Sequence, residues 1–179
     1  IQNVNQEIIA DLHLLTAKPI IYVFNLDEED LSNTEKQAEL RGLVAPSPAL
    51  FINARFEQDL NNLSDTEITE MLEMYGVEET GLAKLIQEAY KILGLQSYLT
   101  AGPKEVRAWT IKKGSSAPVA AGVIHTDFER GFIAAQVVNY ADLIASGSEI
   151  AAKNAGKVRT EGKDYIMQPN DVVEFRFNV

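Results

Sequence analysis

Asn25, Leu26, Asp27 and Glu28 follow directly on the apolar run Ile20, Ile21, Tyr22, Val23 and Phe24. The order matters because open α/β sheets bind ligands beyond the carboxyl ends of their strands. An amide and a carboxylate three residues apart on such a loop suit the polar edge of a purine. The amide offers a donor and an acceptor, and the carboxylate accepts from ring or exocyclic N–H groups. The same stretch, continued by Glu29 and Asp30, also reads as a solvated acidic loop. A second apolar run, residues 49–52, exits into Asn53, Ala54 and Arg55. These are expected beside the first loop on the same sheet edge, where backbone amides and an Arg stem frame a bound base. A plain strand exit is the competing reading.

A nucleotide hydrolase also needs a phosphate cradle, for which Gly-x-x-x-x-Gly-Lys-Ser/Thr is the sequence sign. The closest string, residues 151–158, has Ala151 for the first Gly and Val158 where a magnesium-binding hydroxyl is required. Asp-x-x-Gly, the sign of a metal-side loop, is missing as well. The expectation is a chain that holds a base and does not hydrolyse a nucleotide by itself. His125 lies in a dense polar and aromatic connection with Asp127 and Glu129, expected between two strands; it reads as a structural or contact residue more readily than as half of a catalytic pair. Trp109, flanked by Arg107, suits either a base-stacking platform or core packing. Zero cysteines exclude disulfides, thiolate metal sites and cysteine nucleophiles, and two distant histidines argue against a zinc enzyme.

The elements that must place these residues follow from apolar spacing. Ile1, Val4, Ile8, Ile9, Leu12 and Leu15 fall on one helical stripe, which Pro19 ends. The branched run at 20–24 and that at 49–52 predict strands buried on both faces of a parallel sheet, joined through a helical crossover over residues 31–42. Ser64 and Glu67 form a capping box ahead of the stripe Ile68, Met71, Leu72 and Tyr75, and Gly76 suits a left-handed stop. The next helix starts near Thr80 and stops at Gly94. Beyond Gly102 the pattern predicts strands over 106–111, 119–124 and 132–138, a helix over 140–155, and a closing hairpin of residues 165–167 with 172–177. Strands, a crossover, a helix and a closing hairpin describe a β-grasp sheet.

The 179 residues suffice for one large domain or two small ones, and 46% hydrophobic with 23% charged residues is a folding composition. With 16 Lys and Arg against 26 Asp and Glu the net charge is −10, unevenly spread. Residues 1–95 hold 6 basic and 17 acidic side chains, a net of −11, whereas residues 96–179 hold 10 and 9, a net of +1. Two domains meeting near Gly102 and Pro103 are expected, the second better suited to a polyanion through Lys104, Arg107, Lys112, Lys113, Arg130, Lys153, Lys157, Arg159 and Lys163. A mixed solvated surface explains those charges equally well. No apolar run has the length of a membrane-spanning helix and no secretion signal is present, so a cytoplasmic location is expected.

The ordered blocks formed by residues 14–19 leading into Asn25–Glu28, residues 93–110, residues 124–132 and residues 162–179 resemble the C-terminal portion of the YchF/Obg-like ATPases, translation-associated P-loop NTPases. The resemblance covers essentially the whole chain. It implies that residues 1–18 end a helical coiled-coil insertion, that residues 19–95 are the later part of a nucleotide-binding domain with a P-loop NTPase-type parallel sheet, and that residues 96–179 are a TGS domain, a β-grasp module of ribosome and RNA binding. In GTPases the base loop reads Asn-Lys-x-Asp; here Leu26 and Glu28 replace the Lys and Asp, a departure that accompanies acceptance of ATP in this family. The implied base-binding residues are Asn25, Leu26 and Glu28, with Asn53, Ala54 and Arg55 at the place of a Ser-Ala-Lys element. Implied contacts with ribosomal or transfer RNA are Arg107, Lys112, Lys113 and Arg130. ATP, with magnesium and potassium, is the implied cofactor set. The phosphate-binding segment is expected before Ile1, which leaves this chain catalytically incomplete.

Two other readings compete. One is a binding module whose β-grasp half meets RNA or protein while the first half is only scaffold. The other, a ubiquitin-like carrier, fails because its activation needs a terminal Gly-Gly and this chain ends in Asn178 and Val179.

Overall fold

The computed structural model describes residues 10–102 and 105–178, which divide into two compact units, residues 1–92 and residues 93–179. Ile1, Val4, Ile8, Ile9, Pro103, Lys104 and Val179 lie outside the described residues.

In the first unit the expected helix through Leu12 and Leu15 is not formed. Two short 3-10 turns, Ala10–Leu12 and Leu15–Ala17, stand in its place, separated by His13 at φ 47°. A left-handed residue interrupts the hydrogen-bond ladder, and Leu12 and Leu15 remain exposed, so no burial offsets the cost of helix nucleation. Strands β1 (Tyr22–Asn25) and β2 (Ala49–Ile52) pair in parallel, Tyr22 opposite Ala49 and Asn25 opposite Ile52. Their order and register agree with the apolar runs. The expectation of burial on both faces fails for β1, where Tyr22 and Val23 are about 40% exposed, because this sheet has two strands.

The crossover contains α1 (Glu28–Leu31) and α2 (Thr34–Val44). Asn33 divides them, its Oδ1 accepting from the Lys36 N–H at 3.0 Å. After β2 come α3 (Ala54–Leu60), α4 (Asp65–Met74) and α5 (Gly81–Ile92). The capping box of α4 is present in full, with Ser64 N–H donating to Glu67 Oε2 at 2.8 Å. Gly76 and Gly94 both take φ +63°, the left-handed conformation that ends α4 and follows α5. Phe56 and Leu60 of α3 are the buried apolar side chains of this unit among the described residues, and Tyr75 packs on Phe56 at 4.6 Å between ring centroids.

The second unit is a five-stranded mixed sheet in the order β4-β3-β7-β5-β6. Its strands are β3 (Leu95–Ala101), β4 (Val106–Lys112), β5 (Phe132–Asn139), β6 (Arg159–Glu161) and β7 (Asp171–Phe177). β3 and β7 are parallel and the other neighbours antiparallel, the β-grasp arrangement. Tyr98, Ile111, Ala135, Val137 and Val173 of one sheet face pack against Ala117, Ala120 and Ala121.

Those alanines belong to a helix, α6 (Ala117–Ile124), where a strand over 119–124 was expected. Positions 117, 120, 121 and 124 recur at helical spacing, and the branched residues Val119 and Val123 that suggested a strand are the exposed ones. Small residues let the helix backbone approach closely enough for Tyr98 Oη–H to donate to Ala120 O at 2.9 Å. After it come α7 (Thr126–Arg130), α8 (Tyr140–Ser146) and α9 (Glu149–Asn154). The single helix expected over 140–155 is thus two, broken at Gly147 with φ +74°. Residues 165–167 do not pair with β7 as a hairpin. Tyr165 O accepts from Ala117 N–H and Met167 N–H donates to Ser115 O, which ties this segment to the start of α6. The expected turn survives through Asp171, whose Oδ2 accepts from Gln168 N–H at 2.8 Å and Tyr165 Oη–H at 2.9 Å. β7 inserts between β3 and β5 as a central strand.

Candidate functional site

The loops after β1 and β2 meet at one sheet edge in the first unit. Parallel pairing carries on past the strands through Leu26 N–H to Ile52 O at 2.8 Å. Two asparagines then lock the loops together. Asn25 Oδ1 accepts from Ala54 N–H at 2.9 Å, and Asn53 Nδ2 donates to Leu26 O at 2.8 Å. Asn53 Oδ1 also accepts from Phe56 N–H at 2.8 Å, so the same residue caps α3. Asn25, Leu26, Asp27, Glu28, Glu29, Asn53 and Arg55 line an open cleft of about 520 Å³.

The two amides are not equivalent. Asn53 is buried with both ends of its amide engaged, which makes it a clamp on the loops. Asn25 is exposed, and its Nδ2 has no partner among the described residues. Its amide therefore presents chiefly a donor to the cleft, where the sequence suggested donor and acceptor together. Glu28 opens α1 as an exposed carboxylate and Arg55 stands exposed in the first turn of α3. The cleft thus offers a neutral donor, carboxylate acceptors and one guanidinium. No helix was expected directly after Asn53; the signal for α3 and for this cap is an Asn followed by Phe56 and Leu60 at helical spacing.

The remaining candidates lie in the second unit. Arg107 holds its guanidinium 4.2 Å from the Trp109 ring centroid and 3.8 Å from Glu105. The indole Nε1–H of Trp109 donates to Thr100 Oγ1 at 2.9 Å, so this residue packs at the edge of the core with one face covered by Arg107. Lys112 ends β4 opposite Leu95, whereas Val106, beside Arg107, lies opposite Ala101. Arg130 ends α7, next to the start of β5 where Phe132 pairs with Phe177. Because β3 and β7 run parallel, Lys112 and Lys113 mark one end of the sheet and Arg107 and Arg130 the other. The four cations do not form one patch.

His125 does not join two strands; it is the turn between α6 and α7. Its Nδ1 accepts from Asp127 N–H at 3.2 Å and lies 3.4 Å from Asp127 Oδ2. Glu129 is directed at Gly122, where an added Cβ would collide with its Oε2. The His, Asp and Glu therefore do not converge on one point. Among the described residues no three His, Cys, Asp or Glu side chains form a group able to hold a metal ion, and no helix is long and apolar enough to cross a membrane.

A two-stranded parallel piece of a P-loop NTPase-type sheet followed by a β-grasp sheet defines the class of protein. Residues 95–178 match the YchF-GTPase_C family model, described as a protein of unknown function (DUF933). The chain is 49% identical over 179 residues to the ribosome-binding ATPase YchF of Bacillus subtilis and 47% identical over 173 residues to that of Haemophilus influenzae. Those alignments take in 97% and 96% of this chain but 49% and 48% of the relatives. The structure of the Schizosaccharomyces pombe YchF GTPase superposes with a TM-score of 0.79 at 38% identity, covering 95% of this chain and 46% of that one. A GTP binding protein from Pyrococcus horikoshii OT3 shares the fold, with a TM-score of 0.57 at 21% identity over 98% of this chain and 58% of that one. The chain belongs to the YchF family. It spans about half the length of the curated relatives it matches.

Proposed function

We propose that this chain supplies the base-binding end of an ATP site in a cytoplasmic, ribosome-associated ATPase, together with a TGS domain, residues 96–179, that meets the ribosome or its RNA. Residues 19–95 are then the later part of the nucleotide domain and residues 1–18 the end of a helical insertion. The observation that carries the reading is the double asparagine clamp. It holds two loops at the carboxyl edge of parallel strands and leaves Asn25 Nδ2 and the Glu28 carboxylate facing open space. Asn25 donates to a ring nitrogen of the purine, Glu28 accepts from its exocyclic amine, and the backbone of Leu26 and Ala54 frames the ring. Asn53 acts as a positioning residue, through Leu26 and the start of α3. A donor set of this kind fits the base of ATP.

It does not fit magnesium, since among the described residues no three His, Cys, Asp or Glu side chains form a group able to hold a metal ion, nor the triphosphate, for which the sequence has no phosphate loop. This reading assigns phosphate and magnesium binding to polypeptide other than these residues. When bound, ATP supplies the bond to be hydrolysed; what this chain does is orient the base.

The relatives named as ribosome-binding ATPases support both the nucleotide and the ribosome in this reading. Titration of the 179-residue chain with ATP, followed by amide chemical shifts and phosphate release, tests it. Weak binding is expected, with shifts confined to residues 25–29 and 53–55 and without turnover. Micromolar affinity with turnover, or shifts elsewhere, overturns it.

A further inference from the structure

The cleft beyond β1 and β2 has no aromatic side chain in its lining. A purine framed along one side by the backbone of Leu26 and Ala54 therefore keeps a bare face in an open cleft. Three flat polar groups stand near it, the amides of Asn25 and Asn53 and the guanidinium of Arg55. The Asn53 amide is buried and engaged at both ends, and that of Asn25 is fixed by the Ala54 N–H. Arg55 alone is uncommitted. It is exposed and forms no ion pair among the described residues, although Asp27, Glu28 and Glu29 line the same cleft. Elsewhere the guanidinium of Arg41 lies 4.9 Å from the Phe51 ring centroid and that of Arg107 4.2 Å from Trp109; Arg55 has no ring beneath it. Its attachment is nevertheless fixed, because Asn53 ties the start of α3 to Leu26 O and caps the helix through the Phe56 N–H. A cation in the first turn gains nothing from the helix dipole, so the fold does not account for Arg55.

We infer that the Arg55 guanidinium closes over the bare face of the bound purine and sets the preference of the site for purines over pyrimidines. The inference rests on the base-binding reading of the cleft and gives that site its second wall. A guanidinium is planar and weakly hydrated and stacks on aromatic faces, whereas a lysine ammonium is a strongly hydrated point charge. Two fused rings offer it more surface than one, so stacking favours purines whatever groups they carry at the edge. Reading of the edge stays with Asn25 and Glu28. The two contributions are therefore separable, one answering to the area of the ring system and the other to its exocyclic amine.

The test titrates the full 179-residue chain with adenosine, purine riboside and cytidine, followed by amide chemical shifts at residues 25–29. Nucleosides carry no phosphate, so attraction between Arg55 and a charged tail does not enter. Purine riboside lacks the amine that Glu28 accepts from, and so isolates the stack. Arg55→Lys, which keeps the charge, and Arg55→Met, which keeps an apolar stem, should each weaken adenosine and purine riboside by about two- to fivefold and narrow the ratio of purine to cytidine affinity by the same factor. Glu28→Ala should weaken adenosine and leave purine riboside unchanged. Unaltered shifts at residues 49–52 and throughout the second unit establish that the variants are folded. If adenosine produces no shifts at residues 25–29 of the unaltered chain, the base site falls and the stack with it. If those shifts occur but Arg55→Lys binds both purines as tightly as the unaltered chain, or the ratio of purine to cytidine affinity does not change, the stack is overturned and the base site stands.

Discussion

Asn25 and Asn53 differ by twenty-eight positions in sequence but share one task, and their hydrogen bonds decide which of them is available to a ligand. Replacing Asn25 by Ala leaves the Ala54 N–H without its acceptor. The expected cost is about 0.5–1 kcal/mol of stability, since water can reach the exposed N–H, read from urea unfolding, with loss of the ATP-induced shifts at residues 53–55. A second residue-scale prediction concerns Glu67, whose carboxyl is held below its ordinary 4.5 by hydrogen bonds from the Ser64 side chain and then its backbone N–H. A depressed folded value means that the cap contributes fully above pH 4.5 and is lost as pH falls through the lower folded value. Amide exchange in the first turn of α4 should therefore accelerate, relative to the rest of the chain, only on acidification below about pH 4.5, and Glu67→Gln should remove that pH dependence.

Elements were legible where a side chain speaks to its own backbone. The capping box at Ser64, the left-handed stops at Gly76 and Gly94 and the strand over residues 49–52 are local signals, and the structure has them all. What sequence could not convey was set by packing at long range. Branched Val119 and Val123 suggested a strand, but the alanines between them are what the sheet face around Tyr98 accepts, and tertiary contact overrode propensity. β3 went unrecognised because Gln96 and Tyr98 face a core in which polar groups find partners, Gln96 Nε2–H donating to Met167 O at 2.7 Å. At the cleft, the residue types and their edge position were readable, whereas the division of labour between the two asparagines depends on contacts across the sheet. Gly81 shows the same dependence. A Cβ there would stand 2.5 Å from Ile52 Cγ2 and 2.9 Å from Glu57 Oε1, the carboxylate that accepts from the Gly81 and Leu82 N–H groups at the start of α5. Gly81→Ala should destabilise the chain by about 1–3 kcal/mol, against its usual benefit in a helix, which thermal unfolding will read.

At the scale of the whole molecule the two units are unequally built. The second encloses a continuous cluster from Tyr98 to Val173, while the first buries only Phe56 and Leu60 among its described apolar side chains. Opening free energy follows buried apolar contact. Native-state hydrogen exchange should accordingly find β3, β5 and β7 protected to the level of global unfolding, and β1 and β2 exchanging through smaller openings. Uniform protection across both units would contradict this assignment. ATP should slow exchange in β1 and β2 while leaving β5 and β7 unchanged.

The strand pair β1 and β2 leaves Tyr22 and Val23 uncovered, in the half of the chain whose acidic side chains outnumber the basic ones by 11. Mutual repulsion then opposes association of copies through this face, and salt or acid weakens it. A preparation handled at high ionic strength or brought toward its isoelectric point is expected to cloud or to show concentration-dependent light scattering, and a Val23→Thr substitution to restore clarity.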